Sequence, residues 1–222
     1  MRPYVAIIDY GMGNLFSICK VCQYVDLDAI VTFDKEVIEK SSGIILPGVG
    51  AFGDAIENLR KLDLISVLRD AIKANKPFLG ICLGMQLLMT ESEEFGIHKG
   101  LNIIKGKVIK FPMRNTYNEQ IKVPNIGWNK IIFDRPLSIS SRILKNVESE
   151  EFMYFVHSYY TQPFLDEHVL TMTNYCGVDY CSGLARGNLY AFQFHPEKSG
   201  IHGIEIYKNF REIVMNSEGS ND

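Results

Sequence analysis

The sequence predicts an α/β fold in which a central, mostly parallel sheet is flanked by helices and extended by an antiparallel section. Three observations predict it. Short apolar runs in the first hundred residues are separated by stretches with apolar residues at helical spacing. Several of these runs end in glycine-rich turns. Beyond Gly100 the texture changes to short β-branched or alternating stretches.

The elements follow in order. Val5-Ala6-Ile7-Ile8 reads as a buried strand ending at the turn signal Tyr10-Gly11-Met12-Gly13-Asn14. From Leu15, the positions Leu15, Ile18, Cys19, Cys22 and Val25 define a helical face. Ala29–Thr32 and Gly43–Leu46 are the next strands, the latter stopped by Pro47-Gly48. Helices are expected over Phe52–Arg60 and Leu64–Ala74, a fourth strand over Pro77–Gly80 and a helix from Gly84 to about Glu91. Strand-like stretches then run Ile103–Phe111, Ile121–Phe133, Phe152–Tyr159, Val169–Tyr175 and Leu189–Phe194. A helix over Ile201–Val214 closes the chain, with a frayed tail expected over 216–222.

The 222 residues fit one large domain, placed at 1–215, with no linker, repeat or low-complexity segment. Hydrophobic residues make up 46% and charged residues 22%, which excludes global disorder. Lys and Arg number 23 against 26 Asp and Glu, so no basic excess exists for a nucleic-acid backbone. No apolar run approaches the roughly 18–20 residues of a membrane span, and no signal-peptide pattern follows Met1; a cytoplasmic protein is expected. Five cysteines are too few, and odd in number, for a disulfide framework.

Gly80-Ile81-Cys82-Leu83-Gly84 stands between an apolar strand and an amphipathic stretch. A residue on a tight strand-to-helix turn is crowded on both sides, and glycines two before and two after relieve that crowding. Such a turn is expected to push the Cys82 sulfur toward solvent at a helix N-terminus, where a thiolate is favoured. On these residues alone a nucleophile competes with a small buried cysteine. His195, in Gln193-Phe194-His195-Pro196-Glu197-Lys198, sits two residues from Glu197. On an extended segment both would face one side, as in a catalytic diad, although taken alone the pattern more often marks an exposed strand-end histidine beside a surface acid.

Leu46-Pro47-Gly48-Val49-Gly50-Ala51-Phe52-Gly53 lets backbone amides approach a ligand and could supply an oxyanion donor. It lacks the Lys-Ser/Thr of a phosphate loop and the spacing of a dinucleotide fingerprint. Cys19 and Cys22 have metal-ligand spacing but no second pair, and they lie on an apolar helix face, so core packing is expected and no metal. Cys176 and Cys181 flank a turn, Gly177-Val178-Asp179-Tyr180, and are expected to be reduced.

Taken together, Ile8–Asn14, Leu46–Phe52, Gly80–Gln86 and Gln193–Ser199 resemble the class I (triad) glutamine amidotransferases of flavodoxin-like fold. Asn125-Ile126-Gly127-Trp128-Asn129 and Phe155–Tyr159 are similar to the branch formed by glutaminase subunits of imidazole glycerol phosphate synthase. The resemblance spans Val5 to Phe210, with the motifs in family order. It implies that Cys82 attacks glutamine, His195 relays the proton and Glu197 orients His195. It further implies an oxyanion hole from Leu83 with Val49 or Gly50 after a peptide flip. Gly48, Gln86, His157, Ser158 and Tyr159 would hold L-glutamine. No cofactor is implied.

The implied partner is a cyclase subunit with a (β/α)₈ barrel, forming a heterodimer around Asn14, Trp128, Tyr154 and Lys198. Trp128 could serve as an exposed anchor or a core residue. Segments Ser199–Phe210 and Cys176–Gly183 also resemble paralogues that supply ammonia for bacterial surface-sugar synthesis, so the pathway has two readings. A cysteine peptidase sharing the elbow should lack the Pro-Gly-Val-Gly loop and the His-Pro-Glu ending. A silent binding module should lack Cys82 or His195.

Overall fold

The computed structural model describes residues 3–134 and 139–218. Its first half runs β1 (Val5–Ile8), α1 (Leu15–Tyr24), β2 (Ala29–Thr32), α2 (Lys35–Lys40), β3 (Gly43–Leu46), α3 (Phe52–Lys61), α4 (Ile65–Lys73), β4 (Phe78–Ile81) and α5 (Leu83–Gln86). The second half continues β5 (Met89–Ser92), β6 (His98–Lys99), β7 (Ile104–Lys110), β8 (Asn125–Lys130), β9 (Phe152–His157), β10 (Tyr159–Pro163), β11 (Val169–Tyr175), β12 (Val178–Arg186), β13 (Leu189–Phe192) and α6 (Gly200–Glu218).

The main sheet has the order β2-β1-β3-β4-β13-β12-β10-β7-β5-β6, with β11 paired to β12. Its first five strands are all parallel, and the pairs from β13 to β7 are antiparallel. This is the predicted α/β architecture. Strands β1, β3, β4 and β13 are covered on both faces and read as unbroken apolar runs, whereas the edge strand β2 is partly exposed. Val5 and Ile7 join one core with Ile18 and Cys22 of α1 and Tyr207 and Phe210 of α6. Ala6 and Ile8 point the other way, to Ile56 and Leu59 of α3 and Leu68 of α4. Cys22 is buried and Cys19 half-buried, as the apolar spacing implies. Among the described residues no helix is long and apolar enough to cross a membrane.

Several boundaries depart from expectation. The helix expected from Gly84 to Glu91 is a single turn followed by β5. A continuing helix needs the carbonyls of Leu87, Leu88 and Met89, but these accept instead from Leu101, Ile103 and Asn102 at 2.8, 2.9 and 3.0 Å. The stretch Phe152–Tyr159 is not one strand. It breaks at Ser158, where the chain leaves a two-stranded β8–β9 ribbon and enters the main sheet as β10. Pro124, with no N–H to donate, precedes β8, which is shorter than the expected Ile121–Phe133.

The expected turn over 177–180 is smaller. Cys176 and Gly177, at φ 50° and 81°, make a two-residue hairpin, and Val178–Tyr180 pair into β12. α2 escaped notice because it has six mostly charged residues; Asp34 caps it by accepting from Glu36 N at 2.8 Å. α6 runs on to Glu218, so the tail expected from Asn216 begins inside a helix; 219–222 lie outside the described residues.

The β8–β9 ribbon is tied to the sheet through His157. Its Nδ1 donates to Tyr159 O at 2.9 Å, while Nε2 lies 3.2 Å from Tyr180 OH and 3.3 Å from Asn125 Nδ2. Phe111 and Phe155 pack on the ring. Burial, reinforced by His195, holds its pKa down at about 4 despite the bond to Tyr159. A depressed histidine pKa favours the fold fully above the unfolded value of about 6.5, and that contribution is lost as pH falls through 4. His157→Gln, which supplies an amide donor and acceptor but does not titrate, should therefore show a flatter decline of urea stability between pH 6.5 and 4 than the parent. Parallel declines in the two proteins would contradict this.

Candidate active site

In an open parallel sheet, ligands sit beyond the carboxyl ends of the strands. Here the loops after β1, β3, β4 and β13 converge at those ends and bring together the tyrosine, glycine, cysteine and histidine segments singled out in the sequence.

Cys82 is held at φ 54° and ψ −109°, a combination strained for a residue with a side chain. Its N–H donates to Phe192 O at 2.7 Å, and its carbonyl accepts from Met85 N at 3.0 Å, so neighbours on both sides fix the turn. The glycine requirement is steric. A Cβ on Gly84 would lie 1.9 Å from Leu46 O, and one on Gly80 would lie 3.0 Å from Ala191 Cβ. The expectation of a solvent-facing sulfur is corrected: Cys82 is only 7% exposed. Close packing of β3 and β13 around the elbow sinks the thiol to the floor of a cavity of about 300 Å³. That lies at the small end of the roughly 300–1,000 Å³ usual for ligand pockets.

His195 lines the same cavity. Its Nδ1 donates to Glu197 Oε1 at 2.8 Å, with both side chains almost fully buried. The pair meets as expected, but not along an extended segment. Pro196–Lys198 form a 3-10 turn, closed by Lys198 N donating to His195 O at 3.0 Å, which folds the carboxylate back onto the ring. Burial opposes charge on His195, yet Cys82 and Glu197 on its two sides outweigh it and push its pKa up to about 10. His195 Nε2 has no hydrogen-bond partner among the described residues and is free to exchange a proton with a bound molecule.

The loop after β3 is anchored at both ends. Tyr10 OH donates to Pro47 O at 2.7 Å, and Phe52 N donates to Glu94 Oε2 at 2.7 Å. Gly48 lies so close to Leu83 that an added Cβ would approach its Cβ to 2.7 Å. Between the anchors, Val49 is 42% exposed and Gly50 sits at φ 98°, a conformation open to a glycine hinge. Val49, Gly50 and Leu83 all line the cavity. Leu83 opens a helical turn, so its N–H has no partner within that turn.

Gln86, His157, Ser158 and Tyr159 complete the wall. Gln86 Nε2 already donates to Tyr159 O at 2.9 Å and Gln193 Oε1 at 3.0 Å, and both His157 ring nitrogens are engaged within the protein. Glu94 also lines the cavity, and sequence reasoning missed it. In Glu91-Ser92-Glu93-Glu94 it reads as one more solvated acid; only the pairing of β5 with β7 carries it over the pocket.

A second group lies on the surface beside His195. Trp128 is 52% exposed, which settles its two readings in favour of the surface position. It pairs across the ribbon with Tyr154, their ring centroids 5.9 Å apart, and Lys198 Nζ sits 5.9 Å from the Tyr154 ring. Asn14 instead caps α1, its Nδ2 donating to Ser17 Oγ at 2.9 Å. Tyr154 O accepts from His195 N at 2.9 Å, and Ser199 Oγ accepts from Tyr154 N at 3.0 Å, so ribbon and histidine segment are coupled.

The family model for glutamine amidotransferase class-I matches residues 6–213. Imidazole glycerol phosphate synthase subunit HisH of Geobacter sulfurreducens is 46% identical, covering 94% of this chain and 98% of the relative. The subunit of the same name from Archaeoglobus fulgidus is 49% identical over 95% of this chain and 98% of the relative. The solved structure of the Trypanosoma brucei CTPS glutaminase domain superposes with a TM-score of 0.69 at 17% identity, covering 97% of this chain and 94% of that one, which shows the shared fold. Near-complete coverage at the identity of the first two relatives, on a chain whose elbow, loop and His-Pro-Glu segment meet at one cavity, places it: the chain belongs to the class-I glutamine amidotransferases and, within them, to the HisH family of imidazole glycerol phosphate synthase subunits.

Proposed function

We propose that this chain is the cytoplasmic glutaminase subunit of imidazole glycerol phosphate synthase. It releases ammonia from L-glutamine for a barrel-shaped cyclase subunit, which forms imidazole glycerol phosphate and an aminoimidazole carboxamide ribotide in histidine biosynthesis. The observation that carries this is the buried Cys82 on its strained elbow, sharing one small cavity with His195, whose Nδ1 is held by Glu197. The surface-sugar reading is not retained, because relatives at 46% and 49% identity over nearly the whole chain carry the synthase name.

In the proposed reaction, Cys82 Sγ attacks the side-chain amide carbon of glutamine and an S–C bond forms. Charge developing on the oxygen meets the Leu83 N–H and, after the loop's peptide turns, one N–H of Val49 or Gly50. His195 passes its proton to the amide nitrogen, the C–N bond breaks and ammonia leaves. The neutral imidazole then takes a proton from water, which attacks the thioester to release glutamate and restore the sulfur. Glu197 holds the ring and balances its charge. Glu94, the acid in the pocket wall, suits the substrate's α-ammonium group, with Ser158 and Tyr159 near its carboxylate.

Removing one oxyanion donor typically costs a factor of about 10²–10³. A loop at rest in the wrong orientation therefore suffices to keep the isolated subunit slow. The Trp128–Tyr154–Lys198 face is the proposed seat of the cyclase in a heterodimer, with Asn14 close by, and Tyr154's bonds to the His195–Ser199 segment give that seat a path to the site.

Glutamine hydrolysis should fall at least about 10³-fold in Cys82→Ser, with circular dichroism unchanged; near-parental turnover would remove Cys82 from the reaction. Glu94→Gln keeps an acceptor for Phe52 N–H but loses the charge. Steady-state kinetics should show KM for glutamine rising roughly tenfold or more with kcat little changed. An unaltered KM would separate Glu94 from substrate recognition.

A further inference from the structure

We propose that Gln193, which lies behind the pocket wall, is a catalytic donor whose side-chain amide stabilises the Cys82 thiolate. The proposal rests on the reading of Cys82 as the nucleophile, and nothing in that mechanism uses Gln193. Its side chain is completely buried, and Nε2 lies 3.6 Å from Cys82 Sγ, within range for an N–H···S bond. A buried amide facing sulfur could present either its oxygen or its nitrogen, and these are nearly indistinguishable from shape. Here the choice is fixed two steps away.

Tyr159 O is a backbone carbonyl and can only accept, so Gln86 must turn its NH₂ toward it, at 2.9 Å. The remaining N–H of that amide reaches Gln193 Oε1 at 3.0 Å. With its oxygen committed, Gln193 presents N–H to the sulfur. Backbone pairing holds the register, because Gln193 N donates to Ser182 O at 2.9 Å. The chain Tyr159 O, Gln86, Gln193, Cys82 Sγ is therefore polarised in one direction.

The other acceptor near the sulfur sharpens the effect. Val156 O lies 3.9 Å from Sγ and suits an S–H, but it repels an anion. When the thiol ionises, the Val156 contact becomes unfavourable and the Gln193 contact strengthens, since a hydrogen bond to a charged acceptor is roughly twice as strong as a neutral one. The titratable groups around the sulfur are His195 with Glu197, Tyr10, His157 and, in the pocket wall, Glu94. All of them remain when Gln193 is changed.

The test is alkylation of the full chain by iodoacetamide across pH, with each cysteine followed by peptide mass and exposed Cys176 as internal reference. Gln193→Met removes the donor at similar volume. Gln193→Glu keeps size and the acceptor for Gln86 but turns oxygen to the sulfur. In both, the acid limb of Cys82 alkylation should move to higher pH by about one unit, from the usual strength of a hydrogen bond to a charge. The Cys176 limb should stay in place, and kcat for glutamine should fall more than KM changes. Cys82 limbs that coincide with the parent in both variants would overturn the proposal. Fast labelling of buried Cys22 or Cys181 reports loss of fold, leaving the other variant to decide. Because alkylation needs no glutamine, a parent that alkylates at Cys82 yet shows no turnover even with the cyclase subunit and its ligand present would count against the glutaminase reading instead.

Discussion

Cys82 is held at positive φ between two strands that leave no room beside it, and the geometry of the site follows from that confinement. The β3 backbone at Leu46 presses on Gly84 and the β13 side chain of Ala191 on Gly80; Phe192 O holds the cysteine's own amide. Strain at such a residue costs on the order of 1–3 kcal/mol and persists only where surrounding structure over-determines it. What the strain accomplishes is placement. The sulfur faces a small cavity, the next amide opens a helical turn beside it, and the strand that crowds the elbow delivers His195 just beyond its own end.

The charges around this point are arranged so that two histidines in one cavity differ in kind. His157, caged by aromatic rings and bonded through both nitrogens, is driven toward the neutral form, whereas His195, between a thiol and a buried carboxylate, is driven toward the cation. The first serves as a fixed post joining the β8–β9 ribbon to the sheet. The second retains an unengaged Nε2. In the proposed mechanism that difference assigns the proton carrier without ambiguity, and the hydrogen bonds from Tyr154 to the same segment connect it to the exposed aromatic face.

The parallel half of the sheet was readable because β1, β3 and β4 are buried on both faces and therefore apolar at every position. Cys82, His195 and Glu197 were readable because their turns leave local marks, namely flanking glycines and a proline. Glu94 was not, since its position over the pocket depends on β5 pairing with β7, and most of β5 lies in the stretch that reads as helix in sequence. The same cause hid β5 itself. Side chains of the sort seen at Gln86 and Gln193 were equally opaque: which way a buried amide turns depends on a carbonyl from a distant strand. The surface position of Trp128 also needed the fold, because ribbon and core strands share one alternation.

In the proposed reaction the Cys82 sulfur becomes covalently bound to the substrate. Rapid acid quenching of the subunit with its cyclase partner during glutamine turnover, followed by peptide mass analysis, tests it most directly. A glutamyl thioester is expected on the peptide carrying Cys82 and none on the peptides carrying Cys19, Cys22, Cys176 or Cys181. Turnover at full rate with the adduct on another cysteine would contradict it.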